Sequence, residues 1–143
     1  MYRRILVALE NSPYDQAILR HIAPLARLCG AQLELVHVAD GFAARYQEVL
    51  NLSDSAEIHG DREYLAQCKA GLAAQGLSVE AYLAGGEPAK ELVAIARELD
   101  CDLIAMATHG HKGLADVVLG SVAEAVRHNT DIPVLLVRGS RSG

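Results

Sequence analysis

Residues 106 to 121, MATHGHKGLADVVLGS, hold the residue types whose spacing could do chemistry in this chain. They follow an apolar run, Asp102 to Met106, and lead into a helix at Ser121. Gly110, Gly113 and Gly120 allow φ > 0 or a close approach of backbone to a ligand. A loop that leaves a strand and returns at a helix start is an anion site. The first N–H groups of a helix lack partners, and its dipole is positive there. The same residues also suit plain turns at Gly110 and Gly113 and a capping box, Ser121 with Glu124 three residues on. His109, His111 and Lys112 would supply positive charge beside a phosphate, and a solvated loop face fits His111 and Lys112 equally. The His-x-His spacing, even with His37 nearby, lacks a third ligand, so no metal centre is expected. The G-x-x-x-x-G-K-[ST], G-x-S-x-G and H-E-x-x-H patterns are absent from the sequence, as is any obvious nucleophile or acid–base pair.

The elements that must position this loop can be read along the chain. Ile5 to Leu9 is continuously apolar, as a strand buried on both faces requires. Ser12 as N-cap with Pro13 at the first helical position predicts a helix to Cys29, stopped by Gly30. Leu33 to Val38 reads as a second strand. Residues 40 to 60 mix apolar and polar types and fit either a short helix or a flap. Asp61 to Gln75 predicts a helix with Leu65, Cys68 and Leu72 inward. Leu77 to Ala84 alternates and reads as a strand near a sheet edge. A helix opened by Pro88, a strand from Asp102 to Ala107, a helix from Ser121 to His128 and a strand from Pro133 to Val137 complete the pattern. Strands alternating with helices predict an α/β fold, a doubly wound five-stranded parallel sheet with helices on both faces. Ligands bind such sheets where the winding reverses. The order 3-2-1-4-5 would bring the loops after strands one and four to one crevice.

The composition bounds the function. The chain has 143 residues, 51% of them hydrophobic, enough for one domain with a single sizeable core. No repeat or linker divides residues 1–143, and Gly139 to Gly143 read as a flexible tail. A net charge of −5 with no basic run argues against nucleic acid as a partner. No apolar stretch nears the roughly 20 residues of a membrane span. Met1-Tyr2-Arg3-Arg4 enters a strand at once, so a cytoplasmic location is expected. Cys29, Cys68 and Cys101 lie far apart in apolar settings and are expected as reduced thiols.

At residues 107 to 121 the chain resembles the universal stress protein family. The signature of that family's ATP-binding branch, G-x-x-G-x9-G-[ST], runs here from Ala107 through Gly110 and nine further residues to Gly120-Ser121. The opening Ile-Leu-Val-Ala-Leu, the pair His37-Val38 and the ending Ile132-Pro-Val-Leu-Leu-Val also match, so the likeness covers nearly the whole chain. The resemblance implies an adenine-nucleotide-binding stress-response regulator with little or no catalytic turnover. It implies ATP, ADP or AMP as ligand, with Mg2+ or Mn2+ bound through the phosphates. Ala8 and Glu10 would stand at the adenine and ribose end, the Val38 backbone at the adenine edge, and Met106 and Ala107 along the ribose. His109 and Lys112 would lie near the phosphates. The backbones of Gly110, Gly120, Ser121 and Val122, with the Ser121 hydroxyl, would hold the phosphates. Two positions depart from the pattern: Ala107 replaces the first glycine, and Glu10 stands where the family has Asp. A slow ATP hydrolase, a nucleotidyl-transferring enzyme and a non-binding interaction module are the alternatives. An edge strand as apolar as Ile132 to Val137 invites an antiparallel homodimer, and family members are similar in dimerising there.

Overall fold

A computed structural model describes residues 1–40, 56–109 and 120–139. Its strands are β1 (Arg4–Ala8), β2 (Gln32–Asp40), β3 (Val79–Gly86), β4 (Leu103–His109) and β5 (Val134–Gly139). They form one parallel sheet in the order β3-β2-β1-β4-β5. The described helices are α1 (Asp15–Cys29), α2 (Ala56–Ala73), α3 (Pro88–Glu98) and α4 (Ser121–Asn129). The expected architecture and strand order are therefore those observed.

Alternation along the central strands divides the core in two. Ile5, Val7, Leu33, Leu35 and Leu103 face α1 and α2, packing against Ile18, Ile22, Leu65 and Leu72. Leu6, Val36, Ile104 and Met106 face α3 and α4, packing against Leu92, Ala96, Ala123 and Val126. Both faces are dry, which is why the central strands read as unbroken apolar runs. Each fully buried Leu or Ile contributes about 1.5–3 kcal/mol relative to exposure, so the strand ends that carry the loops stand on a rigid base.

The boundaries differ in instructive places. β2 and β4 each extend two residues past their expected ends, to Asp40 and His109. They thereby carry Val38 and Ala107 inside strands rather than at their tips. α2 begins at Ala56, within the stretch 40 to 60 that had no clear reading; residues 41–55 lie outside the described residues. Gly139, expected to begin a tail, is instead the buried last residue of β5. A Cβ there would stand 2.9 Å from the carbonyl oxygen of Tyr14, so only glycine lets β5 close against the start of α1.

At the amino edge of the sheet, Asp102 accepts the N–H groups of Arg3 and Arg4, which fastens β1 to β4. Glu34, 1% exposed, takes Gln32 Nε2 at 2.8 Å and Arg4 Nε at 3.5 Å. All three cysteines are free. Burial pushes the Cys101 thiol up to about 12 and raises that of Cys68, so both remain protonated and unreactive at neutral pH. No described helix is long and apolar enough to cross a membrane.

Candidate functional site

The register of the sheet locates a crevice. β1 and β4 pair only from Ile5↔Leu103 to Val7↔Ala105. Beyond that point each strand stays with its outer neighbour, Ala8 with Val36 and Met106 to His109 with Leu136 to Gly139. The two central strands part there because their following connections run to opposite faces, the switch point of a doubly wound sheet. Ala8, Val38, Met106 and Val122 all pack in the core on the α3–α4 side of this opening, Met106 buried and the others half-buried. Ala107 projects to the opposite face, among Leu135 and Val137, so only its backbone can line the crevice on the side of the other four.

The loop after β1 satisfies itself. Asp15, 0% exposed, turns its carboxylate back over the loop. It accepts the N–H groups of Glu10 at 3.1 Å, Asn11 at 2.9 Å and Ser12 at 3.4 Å, and the Tyr64 hydroxyl. Ser12 Oγ then accepts from Tyr14 N–H, and the Ser12 and Pro13 carbonyls accept from Asp15 and Gln16. Every backbone N–H from Leu9 to Gln16 is thus engaged, since Leu9 N–H reaches the Val36 carbonyl. The expected helix start is met in part: Ser12 Oγ takes the Tyr14 N–H as an N-cap would, but the helix proper begins later than Pro13. Residues 12 to 14 form a turn, and α1 starts at Asp15, because the carboxylate must sit at the first helical position to gather the loop. Burial, then the hydrogen bond with Asp15, raises the Tyr64 phenol, which stays a donor.

The start of α4 is the opposite case. Its N-cap is Gly120, at φ 75 and ψ 149, with no side-chain cap. Glu124 N–H reaches the Gly120 carbonyl at 3.1 Å, while the N–H groups of Ser121, Val122 and Ala123 have no acceptor among the described residues. The expected capping box is therefore not formed. Ser121 is itself the first helical residue, so its hydroxyl is exposed and does not bond the third N–H of the helix. Glu124 faces along the helix toward Arg127 at 2.7 Å and His128 at 3.2 Å. The Arg127 hydrogen bond holds the Glu124 carboxyl below its ordinary range.

Of the expected site residues, Ala8, Val38, Met106 and Val122 share one wall, and Gly120 and Ser121 stand at the uncapped helix start. Glu10 is exposed at the end of β1 and accepts a hydrogen bond from Ser12 Oγ at 2.6 Å. Gly110, Lys112, Gly113 and His111 lie outside the described residues, as does the side chain of His109. His37, weighed as a metal ligand, has other partners. Its Nδ1 donates to the Leu9 carbonyl at 2.8 Å, and Nε2 lies 3.3 Å from Asp61 Oδ2. No group of three metal-ligating side chains occurs among the described residues.

Sequence reasoning missed Asp15, Asp61, Tyr64 and the αL residue Asn11. Asn11, at φ 62, donates its side-chain amide to Asp61 Oδ1 at 2.9 Å. The signal was present in the spacing: Asp15 falls on the inner stripe with Ile18 and Ile22, and Asp61 on that with Leu65, Cys68 and Leu72. A carboxylate on an apolar stripe must be paired.

Comparison with known proteins agrees with the family resemblance and the topology. A model of the universal stress protein family matches residues 1–138. The chain is 30% identical over 143 aligned residues to universal stress protein MJ0531 of Methanocaldococcus jannaschii, covering 96% of this chain and 83% of that protein. Among solved structures, MJ0577 of the same archaeon superposes with a TM-score of 0.82 at 29% identity, covering 96% of each chain. A universal stress protein from Archaeoglobus fulgidus, solved in complex with dAMP, superposes with a TM-score of 0.73 at 26% identity, covering 95% of this chain and 98% of its own. Strand order, the parting of β1 from β4 and the family match over nearly every residue lead to one assignment: this chain belongs to the universal stress protein family.

Proposed function

We propose that the protein binds an adenine nucleotide, ATP, ADP or AMP, in the crevice between β1 and β4, and acts as a homodimeric regulator rather than as a catalyst. The observation that carries this reading is the bare start of α4: three N–H donors and the positive end of the helix dipole, behind a glycine cap, beside a strand opening. The half-buried wall of Ala8, Val38, Met106 and Val122 suits the flat, apolar part of a nucleoside. The dAMP complex of the Archaeoglobus relative supports the ligand class. On this reading Gly120, Ser121 and Val122 hold phosphate, with Gly110, His109 and Lys112 contributing from the preceding loop, and Mg2+ or Mn2+ arrives on the phosphates. Glu10, at the end of β1, reaches a ribose hydroxyl. Turnover would need a water-positioning carboxylate near the phosphates; of the two nearby in sequence, Glu124 is engaged by Arg127 and His128, and Asp116 lies outside the described residues.

The proposed dimer uses β5, an edge strand that among the described residues pairs only with β4. Val134 to Val137 are all half-buried in the single chain, leaving apolar surface for a second copy. Leu135 and Val137 changed together to Lys should give a monomer by light scattering. Native mass spectrometry of the purified protein tests the ligand. A co-purified adenine nucleotide, or one bound on addition, is the expected result, and persistent absence at millimolar nucleotide overturns the reading.

A further inference from the structure

The β1–α1 loop is braced from outside as well as from within. Asp61, 6% exposed on α2, spends one carboxylate oxygen on the Asn11 amide and turns the other to His37 Nε2. His37 completes the chain by donating Nδ1–H to the Leu9 carbonyl. Leu9 and Asn11 flank Glu10 on either side. A buried carboxylate on a second helix therefore grips the backbone immediately before Glu10 and the side chain immediately after it. Asn11 sits in the left-handed region, which its side chain tolerates better than most; the Asp61 bond selects that conformation. Asp15 and Tyr64 tie the same loop to α1 and α2 as well.

We propose that Asp61, acting through Asn11 and His37, is a positioning residue of the nucleotide site: it holds the β1–α1 loop so that the Glu10 carboxylate stands at the crevice. This rests on the nucleotide reading above. Docking of α2 and occupancy of the site are then coupled, and by linkage each strengthens the other.

Asp61→Ala leaves the Asn11 amide and one His37 nitrogen without partners. Asp61→Asn does not. Its amide oxygen still accepts from Asn11, and its NH2 donates to Nε2 of a neutral His37. The test measures two quantities on wild type, Asp61→Ala and Asp61→Asn: binding of a fluorescent ATP analogue, and hydrogen exchange of the Glu10, Asn11 and Ser12 amides without nucleotide. The expected result for Asp61→Ala is about tenfold weaker binding with exchange about tenfold faster, and for Asp61→Asn near wild-type values of both. Should Asp61→Ala not fold, Asn11→Asp carries the test, because it keeps size and tolerance of φ 62 but sets a like charge against Asp61. Wild-type exchange and binding in Asp61→Ala, or in Asn11→Asp where that replaces it, overturn the strut and leave the nucleotide reading intact. Failure of every protein, wild type included, to bind the analogue overturns the nucleotide reading and with it the strut's role in binding.

Discussion

The loop after β1 and the start of α4 treat their backbone donors in opposite ways. After β1, the buried Asp15 carboxylate and Ser12 take up every N–H from Glu10 to Asp15, and the Pro13 carbonyl takes that of Gln16. At α4, behind a glycine N-cap, the N–H groups of Ser121, Val122 and Ala123 have no acceptor among the described residues. A protein carboxylate already occupies the first anion site, so that loop serves as a fixed wall. The second keeps its positive end for an anion that comes from outside. The difference separates a loop whose backbone is fixed from a helix start kept for phosphate, and removing the Asp15 carboxylate or altering the Gly120 cap should break different properties.

The largest effect is expected at Asp15. Removing its carboxylate strands three loop N–H groups and the Tyr64 hydroxyl, and Asp15→Ala should cost about 3 kcal/mol of folding free energy, read by chemical denaturation. Gly120→Val should do the reverse. A Cβ at Gly120 meets nothing within 4 Å among the described residues, and φ 75 is a conformation that a β-branched residue resists. The helix start should shift, and affinity for a fluorescent ATP analogue should fall about 100-fold, about 2.7 kcal/mol, while circular dichroism stays native. Ser121→Ala removes only the exposed hydroxyl and leaves the backbone donors in place. Titration calorimetry should give about tenfold weaker binding, about 1.4 kcal/mol.

The smallest effect lies at the far edge of the sheet and sharpens the contrast. Burial works to raise the Asp102 carboxyl, but the N–H groups of Arg3 and Arg4 outweigh it and hold the group below its ordinary 3.8. A carboxyl depressed in the folded state stabilises fully above its unfolded value, and the contribution fades as pH falls through the folded one. Asp102→Ala should therefore cost about 1 kcal/mol at pH 7, less below pH ~3.8, with nucleotide affinity unchanged.

How much of this could be read in the sequence follows from the kind of interaction involved. The strands announced themselves because burial on both faces forces continuous apolar runs, as in Ile5 to Leu9, and the order was suggested by the two unusual loops, which share a crevice only if strands one and four are neighbours. The helix start at Gly120-Ser121 was readable from glycine and hydroxyl spacing. Its capping box was misread, because Ser121 and Glu124 have the right spacing whether Ser121 stands at the cap or one residue inside the helix. The loop after β1 was misread for a related reason: Ser12-Pro13 fits a helix start locally, yet Asp15, three residues later, decides where the helix begins by gathering long-range partners such as Tyr64. The Asp61–His37–Asn11 brace joins residues up to 50 apart in the chain. No local pattern encodes it beyond the anomaly of a carboxylate on an apolar stripe.

Amide chemical shifts during an ATP titration test the central contrast most directly, because they report each N–H separately. The account predicts large shifts and slowed exchange at Ser121, Val122 and Ala123, with the Asn11 and Ser12 amides, already held by Asp15, barely changed. Large changes at Asn11 and Ser12 with Ser121 to Ala123 unmoved would contradict it, for the anion would then sit in the loop that appears filled and avoid the helix start that stands open.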